Sequence, residues 1–517
     1  MFVPLHTKSE YSLGLGTAPV EALLRRAADF GYPALALTDL ENLSGQVRLH
    51  HAAYAAGIQP ITGVELRRGY GPSSPGDKAG RLVLLARDRE GYQSLCRIIT
   101  RRRDDPDAPT AEPLSCLEAN PRGIFFLSDD PAVPIRLLRA GVNAREIRFL
   151  VASGAPIRQS ASLAKLGLRV VAAVDAILLD AADHPLHLLL AAIRQHRVVS
   201  QGVDSESAEA VLPSPQELAR RFGRLPGALA ETLRLAEACT LDLREAPVVF
   251  PSLPLPGGES PDAVLAHNCR TRLGDADPTY RERLEHELEI LRELGFAGYF
   301  LVVAEIAAYA RQRGIALAGR GSAASSLVAF LLGLSTVDPL RHGLFFERFV
   351  HPARRDLPDI DLDLPSDRRD EVIDWVFRRF GAGRVAMVAA HQTFGRRAAY
   401  REGLKAFGMS LIEVKRFCEQ IPEELEPGVV VMPPLPPEYR AAAPLLERLI
   451  GRPQHLSVHP GGLVLAEPAI ECYAPLERAP KGVPVTQYDM TSLEKLGLIK
   501  LDLLGTRALS ALEEARR

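Results

Sequence analysis

Two acidic segments far apart in the chain hold the residues best suited to chemistry. Residues 357–364 read Leu-Pro-Asp-Ile-Asp-Leu-Asp-Leu. In an extended strand, Asp359, Asp361 and Asp363 share one face while Ile360, Leu362 and Leu364 share the other. The apolar face can anchor the strand to a core while the carboxylates look into a cleft. Like charges at this spacing repel, and a divalent cation removes the conflict. Hard oxygen ligands suit Mg²⁺, which keeps some waters and binds substrate phosphate. A solvated acidic edge or a Ca²⁺ loop is the bland alternative, although the EF-hand positions and their closing Glu are absent. Residues 498–505 repeat the strand logic, with Lys500 and Asp502 on one face and Ile499, Leu501 and Leu503 on the other. A half-buried acid among apolar neighbours needs a partner. Were Asp502 to meet Asp361 and Asp363, the triad could hold two metals for phosphoryl transfer, one activating a hydroxyl and one stabilising a leaving pyrophosphate. That meeting is a conjecture from the residues alone.

A strand over 315–318 leads into Gly319-Arg320-Gly321-Ser322, followed by an apolar helix to residue 332. Glycines allow a tight turn with backbone N–H groups close to a ligand, and the helix offers its positive end. Phosphate binding, with Arg320 and Ser322 as further donors, and a merely structural turn both fit. Neither a Walker A sequence nor a dinucleotide fingerprint is present. Arg348 and Lys500 could add positive charge around a phosphate, or Arg348 could pair with Glu347. Residues 311–405 hold 16 Lys or Arg against 11 Asp or Glu, in a chain whose net charge is −2. That local excess suits a polyanion beside a metal centre, or a solvated basic surface.

The elements that must position these groups follow from length and patterning. A chain of 517 residues, 47% hydrophobic and 24% charged, calls for two to four globular domains. Six scattered cysteines without a C-x-x-C pair exclude a disulfide scaffold and a thiolate zinc site. Without an apolar run long enough to span a bilayer, a cytoplasmic protein with no membrane partner is expected. Over residues 2–66, strands at 2–5, 34–38 and 61–65 alternate with helices at 20–30 and 45–56. His6, Asp39 and Glu65 fall at strand carboxyl ends, which meet at one mouth in an α/β barrel. Further strands are expected at 81–86, 123–128, 169–173 and 198–200, with surface loops at 69–80 and 101–113 and helices between 215 and 239. The Pro/Gly-rich stretch 246–261 marks the main boundary. Helices at 280–294 and 299–313 follow, and Trp375 lies on a helix where packing is expected over base stacking. His455 and His459 suit a tight loop better than a zinc site.

Taken together, His6-Thr7-Lys8-Ser9-Glu10-Tyr11-Ser12, Ala36-Leu37-Thr38-Asp39, Gly319-Arg320-Gly321-Ser322, Phe346-Glu347-Arg348-Phe349, Pro358-Asp359-Ile360-Asp361-Leu362-Asp363, His459-Pro460-Gly461-Gly462, Gln487-Tyr488-Asp489-Met490 and Gly497-Leu498-Ile499-Lys500-Leu501-Asp502 make the chain resemble the bacterial C-family DNA polymerase III alpha subunit, replicative or error-prone. The resemblance implies an α/β multidomain fold. A PHP-like distorted (β/α) barrel over 1–245 and a linker over 246–261 precede a mixed α+β nucleotidyltransferase-like palm over 262–412 and 484–517, with a mainly helical thumb inserted at 413–483. It implies Asp361, Asp363 and Asp502 as catalytic metal ligands and Gly321 and Ser322 as contacts to nucleotide phosphate, with Asp359 as an outer acid. It further implies two Mg²⁺ ions when primer-template DNA and dNTP are bound, in DNA replication or repair, with fingers supplied by a longer chain or a separate polypeptide. A non-catalytic DNA-binding or assembly role, and a PHP metallophosphoesterase, are the alternatives. In the first domain the family's His pattern is broken by Lys8, Leu40, Arg81 and Ile177, leaving His6, Asp39, Glu65 and Asp175. No metal is therefore expected there, with Lys8 bridged to Asp39 or Glu65.

Overall fold

The apolar runs of the amino-terminal region pair into one sheet in the order β1 (Ala34–Leu37), β2 (Gln59–Gly71), β3 (Ser74–Ala86), β4 (Ile124–Ser128), β5 (Ile147–Val151) and β6 (Arg169–Ala172). Pairing is parallel at β1–β2, β4–β5 and β5–β6, and antiparallel at β2–β3 and β3–β4. β1, β4 and β5 are buried along their whole length, which is why they read as continuous rather than alternating apolar runs. Thr7 makes parallel bridges to Leu37 in β1 and to Ala176 beyond β6. The segment preceding Lys8 thereby joins the two edges and curls the sheet toward a barrel, satisfying backbone groups that an open edge would expose. In this computed structural model residues 2–71, 74–104, 113–117, 121–151, 167–244, 246–251, 253, 255, 258–350, 360–381, 383–422 and 432–516 are described, apart from the side chains of 68–71 and 74–80.

Four local expectations change. The segment 2–5 is bridged rather than laddered: Pro4 has no N–H to give, and the Val3 N–H goes to the Thr232 hydroxyl at 3.0 Å. The expected loop at 69–80 is mostly strand, because β2 runs to Gly71 and β3 starts at Ser74, with Gly69, Pro75, Gly76 and Gly80 inside the strands; 72–73 lie outside the described residues. Residues Val199–Gln201 form a 3₁₀ turn instead of a strand, since so short a run gains little from a ladder. Within the expected loop 101–113 the helix Arg89–Asp104 continues to residue 104, and 105–112 lie outside the described residues.

Helix Gln46–Ala56 buries His50 against this sheet. Its Nε2 meets the Thr62 hydroxyl at 2.8 Å and its Nδ1 accepts the Leu243 N–H at 3.3 Å. Burial pushes its pKa down from 6.5 to about 3. The unfolded chain therefore binds a proton that the folded one refuses. This part of the stability is complete above 6.5 and is lost as pH falls toward 3, with a slope of up to about 1.4 kcal/mol per pH unit. Urea unfolding midpoints measured from pH 7 to pH 4 should fall less steeply in His50→Gln than in the unsubstituted chain; parallel profiles would exclude His50 as the source.

Compactness divides the chain into Met1–Glu245 with His391–Ser457, and Ala246–Ala390 with Val458–Arg517. Residues 413–457 of the expected thumb insertion thus belong to the first unit and 458–483 to the second. In the first unit, helices Arg396–Ala406, Leu411–Glu419 and Ala443–Leu449 share a core with His184–Gln195 that includes Leu186, Leu189, Tyr400, Leu404 and Leu446. Residues 423–431 of the Pro-rich stretch lie outside the described residues.

The second unit is built on a sheet ordered β11 (Leu476–Arg478), β12 (Pro484–Asp489), β9 (Val385–Thr393), β10 (Pro453–Leu465), β13 (Lys500–Thr506), β8 (Asp361–Pro365) and β7 (Ala318–Arg320). Helix Pro278–Leu294 starts at a Pro behind the Asp277 cap and stops at left-handed Gly295. Trp375 packs, stacked on Tyr309 at 4.5 Å between centroids. His455 and His459 lie within β10, not in a tight loop. The molecule is therefore an α/β multidomain protein, with a PHP-like distorted barrel followed by a mixed α+β palm and helical insertion. Among the described residues no helix is long and apolar enough to cross a membrane.

Candidate functional site

β8 runs between β7 and β13. Its parallel register with β13 sets Asp502 opposite Asp361 and Leu504 opposite Asp363, and its antiparallel register with β7 sets Arg320 opposite Asp361. Residues in register share a sheet face. Asp361, Asp363, Asp502, Lys500 and Arg320 consequently stand on one side, while Leu362 and Leu364 are fully buried on the other. Two of the acids are each paired with a cation: Arg320 Nη2 lies 2.8 Å from Asp363 Oδ1, and Lys500 Nζ donates to Asp502 Oδ2 at 2.8 Å. Asp502 Oδ1 is buried without a hydrogen-bond partner among the described residues. Such an oxygen is costly to leave unmet, and an all-carboxylate donor set fits Mg²⁺. Asp359, the outer acid, lies outside the described residues.

On the other side of β13, Gly462 of β10 is in register with Asp502. A Cβ there would come within 2.8 Å of His459 Nδ1, which accepts the Gly462 N–H at 2.8 Å. The glycine lets that ring fold back on the strand beside the acids.

The Gly319–Ser322 loop divides its roles. A Cβ on Gly319 would lie 2.1 Å from the Leu334 carbonyl oxygen, and Gly321 has φ +73°, so close approach demands glycine at the first and handedness at the second. Arg320, Gly321 and Ser322 are exposed. The following helix, Leu327–Leu332, does not offer its positive end to a ligand as expected. Glu287 occupies that end, accepting the N–H groups of Leu327 and Val328 at 2.9 and 3.0 Å and the Ser326 hydroxyl at 2.8 Å, with Arg283 Nε at 2.6 Å. Burial raises the Glu287 pKa against these opposing hydrogen bonds. Glu287 was missed because an Arg four residues before a Glu on a helix is usually a surface pair. Arg348 is exposed on the 3₁₀ turn Phe346–Arg348, and Glu347 pairs with His286 at 3.0 Å rather than with it.

In the first unit, His6, Glu65 and Asp175 converge, one ligand atom of each within 4.8 Å of the others. This overturns the expectation of no metal site in the barrel. Replacing four imidazole positions removes ligands, yet one imidazole and two carboxylates still meet, a donor set suited to a divalent ion. His6 Nε2 is 2.5 Å from Glu65 Oε2 and 3.7 Å from Asp175 Oδ1. Asp39 stands apart, accepting from the Ser9 N–H and hydroxyl at 2.7 and 2.8 Å and from the Ser12 hydroxyl at 2.7 Å. Lys8 bridges Glu65 and Asp175, not Asp39. Leu40 and Ile177 join Leu15 and Leu178 in an apolar cluster. Arg81 binds Asp175 at 3.0 Å and Asp129 at 2.7 Å. Arg67, which holds Glu65 Oε1, was missed, although its place two residues after Glu65 puts both on one strand face. Burial alone would raise Glu65, but Arg67, Lys8 and His6 outweigh it and hold the carboxyl well below the usual range. Asp175 is likewise lowered, its burial outweighed chiefly by His6 and Lys8.

Comparison with known proteins finds two families along the chain. Residues 4–148 match the PHP domain family and residues 263–505 the family described as the bacterial DNA polymerase III alpha NTPase domain. The error-prone DNA polymerase of Pseudomonas aeruginosa is 35% identical over 99% of this chain and 51% of its own length. The DNA polymerase III alpha subunits of Bacillus subtilis and Escherichia coli are 32% and 31% identical, over 99% of this chain and 49% and 48% of theirs. A solved two-domain protein from Bacteroides vulgatus, containing a predicted PHP-like metal-dependent phosphoesterase, aligns at 14% identity and a TM-score of 0.25, covering 46% of this chain and 69% of that one; a likeness so low carries no argument. The chain spans about half the length of the curated relatives it matches. Two family matches thus stand side by side, and over nearly its whole length the chain is similar to bacterial DNA polymerase III alpha subunits and error-prone DNA polymerases.

Proposed function

We propose that this chain carries the catalytic acids of a DNA-directed DNA polymerase, in which dNTPs are added to a primer 3′-hydroxyl under template direction and with Mg²⁺. The observation that carries the reading is the β8–β13 register, which puts Asp502 beside Asp361 with Asp363 on the same face. Bound metal would lower the pKa of the attacking hydroxyl and take up charge on the leaving pyrophosphate. The chain's own residues do the rest. Asp361, Asp363 and Asp502 would hold the metals. Arg320 and Lys500, paired here with Asp363 and Asp502, would supply positive charge to triphosphate oxygens, joined by Ser322, the Gly321 N–H and Arg348. In the first unit, Arg397, Arg401, Lys405 and Lys415 line a cleft of about 370 Å³, a basic surface suited to following a DNA backbone irrespective of sequence.

Alignment of a template base over the incoming nucleotide needs closure and proximity, which we assign to parts of the polymerase beyond the matched half, in a longer chain or a separate polypeptide. The test is Mg²⁺-dependent primer extension by the purified chain, alone and with the remaining half of a relative added. Extension in either arm supports the proposal. Primer-template binding without incorporation in both arms would replace it with a non-catalytic DNA-binding or assembly role.

A further inference from the structure

The three ligand atoms that converge in the first unit already share a partner. Lys8 Nζ lies 2.6 Å from Glu65 Oε2 and 3.2 Å from His6 Nε2, and it donates a hydrogen bond to Asp175 Oδ1. One ammonium therefore stands within reach of all three groups that could ligate one ion. Lys8 is 0% exposed, so its charge cannot turn to water without a local rearrangement. The remaining carboxylate oxygens are held from outside: Glu65 Oε1 by Arg67, and Asp175 Oδ2 by Arg81 at 3.0 Å and Arg67 at 3.5 Å. These arginines fix both carboxylates in orientation, as outer-shell partners do around metal ligands, and need not move if the central cation changes.

We infer that Lys8 sets the metal affinity of the His6–Glu65–Asp175 cluster, as a tethered cation that a divalent ion must displace to enter. A metal and the ammonium would compete for the same lone pairs, and two cations at that separation in a buried site repel. The cluster is thus poised between an internal ion pair and a metal complex, and the lysine rather than the ligands decides which prevails. This inference concerns the first unit alone and stands whether or not the second catalyses nucleotidyl transfer.

Titrating the full chain with Mn²⁺ by calorimetry, with bound metal counted after dialysis, tests it. Lys8→Met keeps the stem and removes the charge. It should bind one equivalent about tenfold or more tighter than the unsubstituted chain, and the added substitution Glu65→Gln should abolish the gain. Equal affinity in both chains, or a gain that survives Glu65→Gln, would overturn the inference. Since removing a buried cation weakens folding, thermal melts of Lys8→Met and Lys8→Ala are followed with and without Mn²⁺. Recovery of the melting temperature with Mn²⁺ supports displacement. If neither variant folds with or without the ion, Lys8 is an obligatory structural charge and the inference fails.

Discussion

Asp361→Ala and Asp363→Ala should each lower Mg²⁺-dependent primer extension by about a thousandfold or more, measured in whichever arm of the extension assay supports synthesis. The size follows from charge. Each carboxylate would hold a metal on which the attacking or leaving oxygen depends, and loss of several kcal/mol of transition-state stabilisation translates at about 1.4 kcal/mol per decade of rate. Asp502→Ala belongs to the same class because β13 sets it in register with Asp361. Lys500→Ala should cost less, about tenfold, since it supplies one charge-assisted contact and no metal ligand. Thermal melts separate chemistry from folding. Asp361 and Asp363 are half-buried on the cleft side of β8, so alanine there opens no core cavity. Full extension by either variant would remove β8 from the catalytic reading.

The second large effect is on stability. Glu287→Ala should destabilise the second unit by about 3–5 kcal/mol, the penalty for breaking a buried charged pair by removing one partner. Four donors lose an acceptor at once: the Leu327 and Val328 N–H groups, the Ser326 hydroxyl and the Arg283 Nε–H, while Arg283 Nη2 keeps the Ser325 and Leu344 carbonyls. Glu287→Gln keeps the shape but cannot accept on both sides, and should fall between. Urea unfolding followed at Trp375, which lies in this unit, reads the loss directly. A change under about 1 kcal/mol for Glu287→Ala would mean that water takes over the contacts. Because the same residue anchors the segment following Gly321 and Ser322, nucleotide affinity should drop with stability in the alanine variant.

Much of the fold was legible because the period of the apolar pattern is itself physical information. Alternation in 360–364 and 499–503 placed acids and leucines on opposite faces, and the structure has β8 and β13 there. The helices expected at 20–30 and 280–294 differ from Val20–Asp29 and Pro278–Leu294 only at their ends, where caps and fraying decide. The loop expected at 69–80 failed for the converse reason: Gly, Pro and Ser mark where a chain can turn, not where it must.

What local pattern could not supply is anything that depends on which distant segments meet. That Asp39 is consumed by Ser9 and Ser12 while Asp175 joins His6 and Glu65 follows from Thr7 bridging Leu37 and Ala176. Counting lost histidines led to a barrel without a metal site, because a count of ligands carries no distances. Glu287 looked like a surface residue because its partners lie 39 to 41 residues away. The sequence by itself determined many of the elements, the faces on which the acids stand and, through its motifs, the resemblance to the polymerase family. Only the tertiary structure decided which charges share a site, since strand register and barrel closure are set by long-range packing, whereas alternation and capping are set by neighbours along the chain.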